Sequence, residues 1–306
     1  MKSTIAIPTH NRAASLRRTL HSLAEMATDP EVELECLVIA NRCSDQTPDV
    51  VADFARHAPF RVRLVAEERQ GSSFARNRAA REAQGELILF IDDDVLVEPQ
   101  WASALTEEIK RRKLDVACGI VLPLWEAPPP RWLDARLYGK LAVHDPALIA
   151  MGQAPPERLT HYYSANLGMR ADCFARFGWF REDLGVFGGN PMSGEDTELF
   201  ARILRDGGRI GFASGARVRH VIGAERLSQA YFRRKSYAFG IGSAVAGGPT
   251  HNRLDKLLRN LWRMALARAR GDRAGALEHE MECWNYAGYC YGRWKLRTRR
   301  ASLPGA

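Results

Sequence analysis

The sequence predicts an α/β fold, a mostly parallel sheet flanked by helices, with a helical extension at the C-terminus. Three observations carry this reading. Short β-rich runs alternate with helix-period segments through residue 122, as in a sheet covered on both faces. The intervening segments carry one apolar face each, and strand character fades after residue 222.

The first strands are expected at Thr4–Pro8, Glu35–Ala40, Arg61–Ala66, Leu87–Ile91 and Val116–Leu122. Between them Leu16, Leu20 and Leu23, and then Trp101, Leu105 and Ile109, recur at spacings that line up on one side of a helix. Thr47-Pro48 reads as an N-cap with proline at the first helical position, and Gly85 as the stop after a helix over Ser73–Gln84. A Pro-rich passage from Pro123 to Pro130 opens a weakly periodic connection that runs to about Tyr163. Regular structure resumes with a strand over Ser164–Arg170 and a helix over Asp196–Arg205, stopped by Gly207-Gly208. Two short strands, Arg209–Ala213 and Ala216–Ile222, should follow. The tail sets Leu254, Leu257, Leu258, Leu261, Trp262 and Met264 among Arg253, Lys256, Arg259 and Arg263, an amphipathic helical pattern.

With 306 residues and 46% apolar content, the chain can bury one sizeable core. We divide it into one α/β domain over 1–222, in two halves (1–122 and 123–222), and a basic helical extension over 223–306. Met1-Lys2-Ser3 leads straight into a strand without the apolar core of a secretory signal, so a cytoplasmic protein is expected. No stretch reaches the roughly 18 apolar residues of a spanning helix, which leaves peripheral contact at the inner membrane face as the membrane option. The six cysteines form no metal-ligand cluster, and reduced thiols are expected. The net charge of +8 is concentrated in residues 226–306, which hold 16 Lys/Arg against 5 Asp/Glu. That excess suits an anionic partner or simply a solvated face; no nucleic-acid partner is expected.

Chemistry concentrates at Ile91-Asp92-Asp93-Asp94, three carboxylates closing a strand that reads as buried. Ligands of open α/β sheets sit outside the carboxyl ends of the strands, so the triplet lies where a site belongs. Adjacent carboxylates repel, and Mg²⁺ or Mn²⁺ bridging them to a diphosphate would offset that cost. An acidic helix cap or an aspartyl-phosphate site also fits the triplet alone. Thr9-His10-Asn11-Arg12 ends the first strand at the same edge. Gly71-Ser72-Ser73-Phe74-Ala75-Arg76-Asn77 then opens a helix with groups suited to anionic oxygens.

These motifs together resemble family 2 glycosyltransferases of the GT-A, Rossmann-like fold. The resemblance runs through Pro8-Thr9-His10-Asn11-Arg12, Gly71 to Asn77, Asp92 to Asp94 and Gly194-Glu195-Asp196, and covers roughly residues 3–222. It implies an inverting transferase that moves a sugar from a nucleoside-diphosphate donor to a glycan, lipid-linked or small-molecule acceptor. Pro8, Thr9, His10, Asn11, Arg12, Asn41, Arg76, Asp92 and Asp93 would then bind the nucleotide sugar. Asp94, Asp92 and His220 would hold Mg²⁺ or Mn²⁺; for His220, an ordinary hydrogen-bonding histidine at a strand end is the other reading. Asp196 would be the catalytic base and Glu195 its helper. One departure stands out: Ala40 replaces the second-strand aspartate that commonly reads the base, and Asn41 or Asp45 is left to substitute. Phe187-Gly188-Gly189-Asn190 reads as a mobile loop over the acceptor mouth or simply as a surface turn. A sugar nucleotidyltransferase is the enzymatic rival, but Ile7-Pro8-Thr9-His10-Asn11 lacks the glycine-rich loop a triphosphate needs. A degenerate sugar-nucleotide-binding protein is suggested by Ala40; intact Asp92, Asp94 and Asp196 argue against it.

Overall fold

The computed structural model describes residues 2–27, 33–150, 162–186, 192–247 and 253–301. Its contacts gather into two compact units, Met1–Leu124 with Ala142–Arg181 and Asp196–Val221, and Trp125–Leu141 with Glu182–Glu195 and Ile222–Ala306.

The first unit is built on a sheet of β1 (Lys2–Thr9), β2 (Glu33–Asn41), β3 (Arg61–Glu67), β4 (Leu87–Ile91), β5 (Val95–Val97), β6 (Val116–Trp125), β7 (Asn166–Arg170) and β8 (Ile210–Ile222). Among the described residues the order is β3-β2-β1-β4-β7-β6-β8-β5. Strands β3, β2, β1 and β4 are mutually parallel, so all four carboxyl ends share one edge. Strand β7 runs antiparallel to β4 with Ile91 opposite Asn166, which brings the start of β7 to that same edge.

Helices α1 (Ala13–Ala24), α2 (Thr47–Ala55), α3 (Ser72–Glu82) and α4 (Trp101–Arg112) follow the parallel strands, and α5 (Pro146–Ala150), α6 (Cys173–Phe177) and α7 (Glu195–Arg205) come later. Leu16, Leu20 and Leu23 of α1 and Trp101, Leu105 and Ile109 of α4 are all buried, as their spacing requires. Ala75 and Ala79 of α3 and Leu199, Phe200 and Ile203 of α7 join one apolar cluster with Ala6, Leu37, Phe90 and Leu167. Each large apolar side chain buried in this way contributes roughly 1.5–3 kcal/mol.

Four local expectations are corrected. Residues 210–222 form one strand: the in-and-out alternation slips at exposed Ser214-Gly215 and resumes at buried Ala216, with the backbone still extended. Strand β6 continues through Pro123 to Trp125, because its pairing with β7 covers only Val116 to Cys118 and proline withholds no ladder bond there. Thr47 is the first residue of α2, and Asp45 does the capping instead: Oδ1 accepts from the Thr47 amide (3.2 Å) and hydroxyl (2.6 Å). Helix α3 ends at Glu82, three residues before Gly85. Gly85 is required for a different reason, since a Cβ there would sit 2.6 Å from the Thr4 amide nitrogen. The three-residue β5, which pairs antiparallel with β8, was too short to show a period.

The second unit is helical, with α8 (Gln229–Val245), α9 (Arg253–Ala269) and α10 (Arg273–Ala301). Helices α8 and α10 meet backbone to backbone: a Cβ on Gly240 would collide with Asn285, and one on Gly288 with Tyr237. Arg136 clasps Asp272 through two bonds of 2.8 and 2.9 Å, while Asp272 also caps α10 at the Gly275 amide. None of the helices described is long and apolar enough to cross a membrane.

Candidate active site

The carboxyl edge of the parallel strands gathers most of the residues singled out in the sequence. Asp93 is buried and engaged on both oxygens. Thr9 Oγ1 donates to its Oδ2 at 2.7 Å, and Arg12 Nη1 donates to its Oδ1 at 2.7 Å. The same guanidinium reaches Asp94 Oδ2 with Nη2 at 2.9 Å. His220 Nε2 approaches that Asp94 oxygen at 3.3 Å. Arg76, buried on α3, donates to Asp92 Oδ1 at 3.0 Å, with its guanidinium 6.0 Å from the Phe180 ring.

The repulsion within the triplet is therefore met from inside the chain, by Arg12 and Arg76. Even so, burial outweighs the guanidinium and pushes the Asp93 carboxyl up to about 6, with the neighbouring Asp94 charge adding to the rise. Burial also opposes the Arg12 cation, but Asp93 and Asp94 outweigh it and hold the guanidinium firmly protonated. Among the described residues no three His, Cys, Asp or Glu side chains cluster at metal-holding spacing. Asp94 and His220 are a pair.

Beside this network lies a second one. His10 Nδ1 donates to the Asn41 carbonyl at 2.6 Å, which fixes its proton and leaves Nε2 facing the Gln70 amide at 3.3 Å. The Asn41 side chain braces the turn from β3 into α3. Its Nδ2 donates to the carbonyls of Glu67 (3.1 Å) and Arg69 (2.7 Å), and its Oδ1 accepts from the Gly71 amide (2.7 Å). Asn11 sits in the left-handed region at φ 51° and accepts from the Ser44 amide at 2.7 Å. Asp45 Oδ2 takes the Ala13 amide at 2.9 Å, so one carboxylate caps both α1 and α2. Those bonds overcome the effect of burial and lower its pKa. Asn41 and Asp45, the two substitutes for the missing aspartate at Ala40, are thus both committed to organising the loops around the edge. Pro8 is the penultimate residue of β1 and brings Thr9 to the edge.

Asp196, the second residue of α7, accepts from Ser164 Oγ at 3.3 Å through Oδ2. Ser164 lies two residues before Asn166, the residue opposite Ile91, so the β4–β7 register carries Asp196 toward the edge that holds the triplet. Burial, and then the Asp196 charge, raise the pKa of Tyr163. Glu195 turns back on itself, with Oε2 accepting from the Gly194 amide at 3.1 Å. The Phe187–Asn190 loop lies outside the described residues.

Sequence reasoning missed two supports. Ser164 carries no recognisable signal. Asn166 does: a polar residue within Ala165–Met169, an otherwise apolar and buried stretch. Its Oδ1 accepts from Trp101 Nε1 at 2.8 Å, and its Nδ2 donates to the carbonyls of Ile120 and Ala216 at 3.0 Å each. Gly119 makes room for it, since a Cβ there would strike both Asn166 and Ala216.

Comparison with known proteins supplies the family and the fold. The family model for glycosyl transferase family 2 matches residues 4–173. The succinoglycan biosynthesis protein ExoM of Rhizobium meliloti is 28% identical over 265 residues, covering 85% of this chain and 78% of that protein. A glucosyl-dolichyl phosphate glucuronosyltransferase of Haloferax volcanii is 24% identical over 224 residues, covering 72% and 69%. Among solved structures, a mannosyltransferase of Pyrobaculum calidifontis in complex with GDP-Man and Mn²⁺ superposes with a TM-score of 0.64 at 18% identity, covering 96% of this chain and 87% of that one. TarS residues 1–349 of S. aureus, in complex with UDP, gives 0.53 at 16% identity, covering 98% and 92%. Those structural likenesses establish a GT-A-like fold. With the family match spanning more than half of its length, the chain belongs to glycosyl transferase family 2 and is a glycosyltransferase.

Proposed function

We propose that the protein is an inverting glycosyltransferase that uses a nucleoside-diphosphate sugar and a divalent cation to glycosylate an acceptor hydroxyl. The observation that carries this reading is the network of Thr9, Arg12, Asp93, Asp94 and His220 at the carboxyl end of β4, with Asp196 of α7 held by Ser164 just ahead of the neighbouring strand β7. The solved neighbours in complex with GDP-Man and Mn²⁺ or with UDP support a nucleotide donor.

In this reading Pro8, Thr9, His10, Asn11 and Asn41 shape the nucleoside side of the pocket, the polar ones through the loop bonds described above. Arg76 and Asp92 face the donor's ribose and diphosphate, and Arg12 and Asp93 set the orientation of Asp94. The residues fit a divalent ion: Asp94 Oδ2 already draws a guanidinium and an imidazole to itself, and carboxylate, imidazole and diphosphate oxygens suit Mg²⁺ or Mn²⁺. Asp94 and His220 would hold it, with Asp92 assisting. A bound ion there supplies charge neutralisation at the diphosphate.

Asp196 takes the proton of the acceptor hydroxyl, and Ser164 holds the carboxylate in place for it. As the acceptor oxygen bonds to the anomeric carbon, the bond from that carbon to the diphosphate breaks and its electron pair leaves with the nucleotide. A single displacement inverts the anomeric centre. Glu195 supports the start of α7 through Gly194.

Calorimetric titration of UDP, dTDP and GDP with and without Mn²⁺ tests the reading. Metal-dependent binding of one of them is expected, and failure of all three to bind would sink it.

A further inference from the structure

We propose that α9 is a membrane-docking helix whose solvent-facing apolar stripe enters the interface of an anionic lipid surface. Helix α9 has two apolar faces. One packs within its own unit through Leu257, Met264 and buried Ala267, and Asn260 on the same side shares a 3.0 Å hydrogen bond with His279 of α10. The other is formed by Leu254, Leu258, Leu261, Trp262 and Ala265. At 100° per residue these five fall within an arc of about 100°.

That second face is in water. Leu254 is 59% exposed, Leu258 57% and Trp262 65%. A helix of a water-soluble surface turns such residues inward, and leaving a continuous row of them exposed marks an interaction site. Beside the stripe, Lys256, Arg259 and Arg263 are exposed on the flank, where Asp255 is the sole acid of the helix. A solvent-facing stripe of leucine and tryptophan bordered by Lys and Arg is the pattern of a helix lying in a lipid interface.

Charge selects the partner. Residues 226–306 carry 16 Lys/Arg against 5 Asp/Glu, which favours an anionic surface over a neutral one. Helix α10 of the same unit also exposes aromatic side chains of the kind that a lipid interface takes. Trp284, Tyr291 and Trp294 are exposed, and Tyr291 lies 5.7 Å from Trp294 and 6.1 Å from Tyr237 between ring centroids.

Vesicle sedimentation tests it. The full chain should sediment with phosphatidylcholine vesicles containing phosphatidylglycerol at low salt, far less with pure phosphatidylcholine, and less again when salt screens the charges. Leu258→Glu with Trp262→Glu should cut the partition coefficient by on the order of tenfold or more. Arg259→Glu with Arg263→Glu, which leaves the stripe intact, should cut it about fivefold per residue. Circular dichroism checks that both variants keep their helices. No binding to anionic vesicles at low salt, or wild-type binding by the Leu258/Trp262 variant, overturns the proposal. So does a concentration-dependent dimer that the same variant dissociates, which would assign the stripe to a second copy of the chain.

Discussion

His220 Nε2 lies 3.3 Å from Asp94 Oδ2, across 126 residues of sequence. The contact follows from the pairing of β5 with β8, which sets Val95 opposite His220 and ties the Val221 amide to the Asp94 carbonyl at 2.9 Å. If this pair holds the divalent ion, Asp94→Ala should abolish the Mn²⁺ dependence of nucleotide binding. His220→Ala should weaken Mn²⁺ binding by about 10–100-fold. Calorimetry in Mn²⁺ and in EDTA reads both; wild-type binding by Asp94→Ala would exclude the assignment.

Arg12 joins Asp93 to Asp94, and its removal takes the bridging cation from two buried carboxylates, leaving Thr9 on Asp93 and His220 beside Asp94. Breaking a fully buried pair costs about 3–5 kcal/mol, but Arg12 is 40% exposed and water screens part of that. Arg12→Gln should therefore lower unfolding stability by about 1–3 kcal/mol in urea. A loss within error would mean that the carboxylates find other partners.

The raised pKa of Asp93 gives a pH signature in the metal-free protein. The folded state keeps the proton up to about 6, whereas the unfolded chain releases it near 3.8. Between those values the folded state binds more protons, so this group's contribution to stability falls as pH rises and has levelled off above 6. Asp93→Asn should flatten the stability–pH curve across that window relative to wild type. An unchanged slope would place the titration elsewhere.

Asp196→Asn should bind nucleotide as the wild type does yet lose transfer by about 10²–10⁴-fold. Ser164→Ala, which frees the carboxylate to turn, should reduce kcat by a smaller factor and leave nucleotide affinity unchanged. Near-normal turnover in Asp196→Asn, or a larger loss in Glu195→Gln, would move the base to another residue.

Asn166 satisfies three buried groups at once. Asn166→Leu leaves the Trp101 indole NH and two carbonyls unpaired, and each such group costs about 1–3 kcal/mol. Thermal melting should show a loss of several degrees or failure to fold, with Gly119→Ala similarly harmed by its collision with Asn166. A melting temperature equal to wild type would show that water replaces the side chain.

The sequence by itself determined the four parallel strands, the amphipathic helices and the Asp92–Asp94 triplet at a strand end, because period-2 and period-3.6 burial are local patterns, whereas the three-residue β5 and the unbroken course of β8 came only from the structure. It also placed Asp196 at a helix start. What it did not determine was which charges meet. Local spacing carries no record that Arg12 reaches Asp93 and Asp94, that Asp45 caps two helices, or that Asn41 is tied to the β3–α3 turn. Those partners are set by strand order and register, which bring residues 30 to 126 positions apart within hydrogen-bond reach. The outer stripe of α9 shows the same division. Its apolar residues were legible as helical, but only the packing of Leu257, Met264 and Ala267 decided that Leu258 and Trp262 face water.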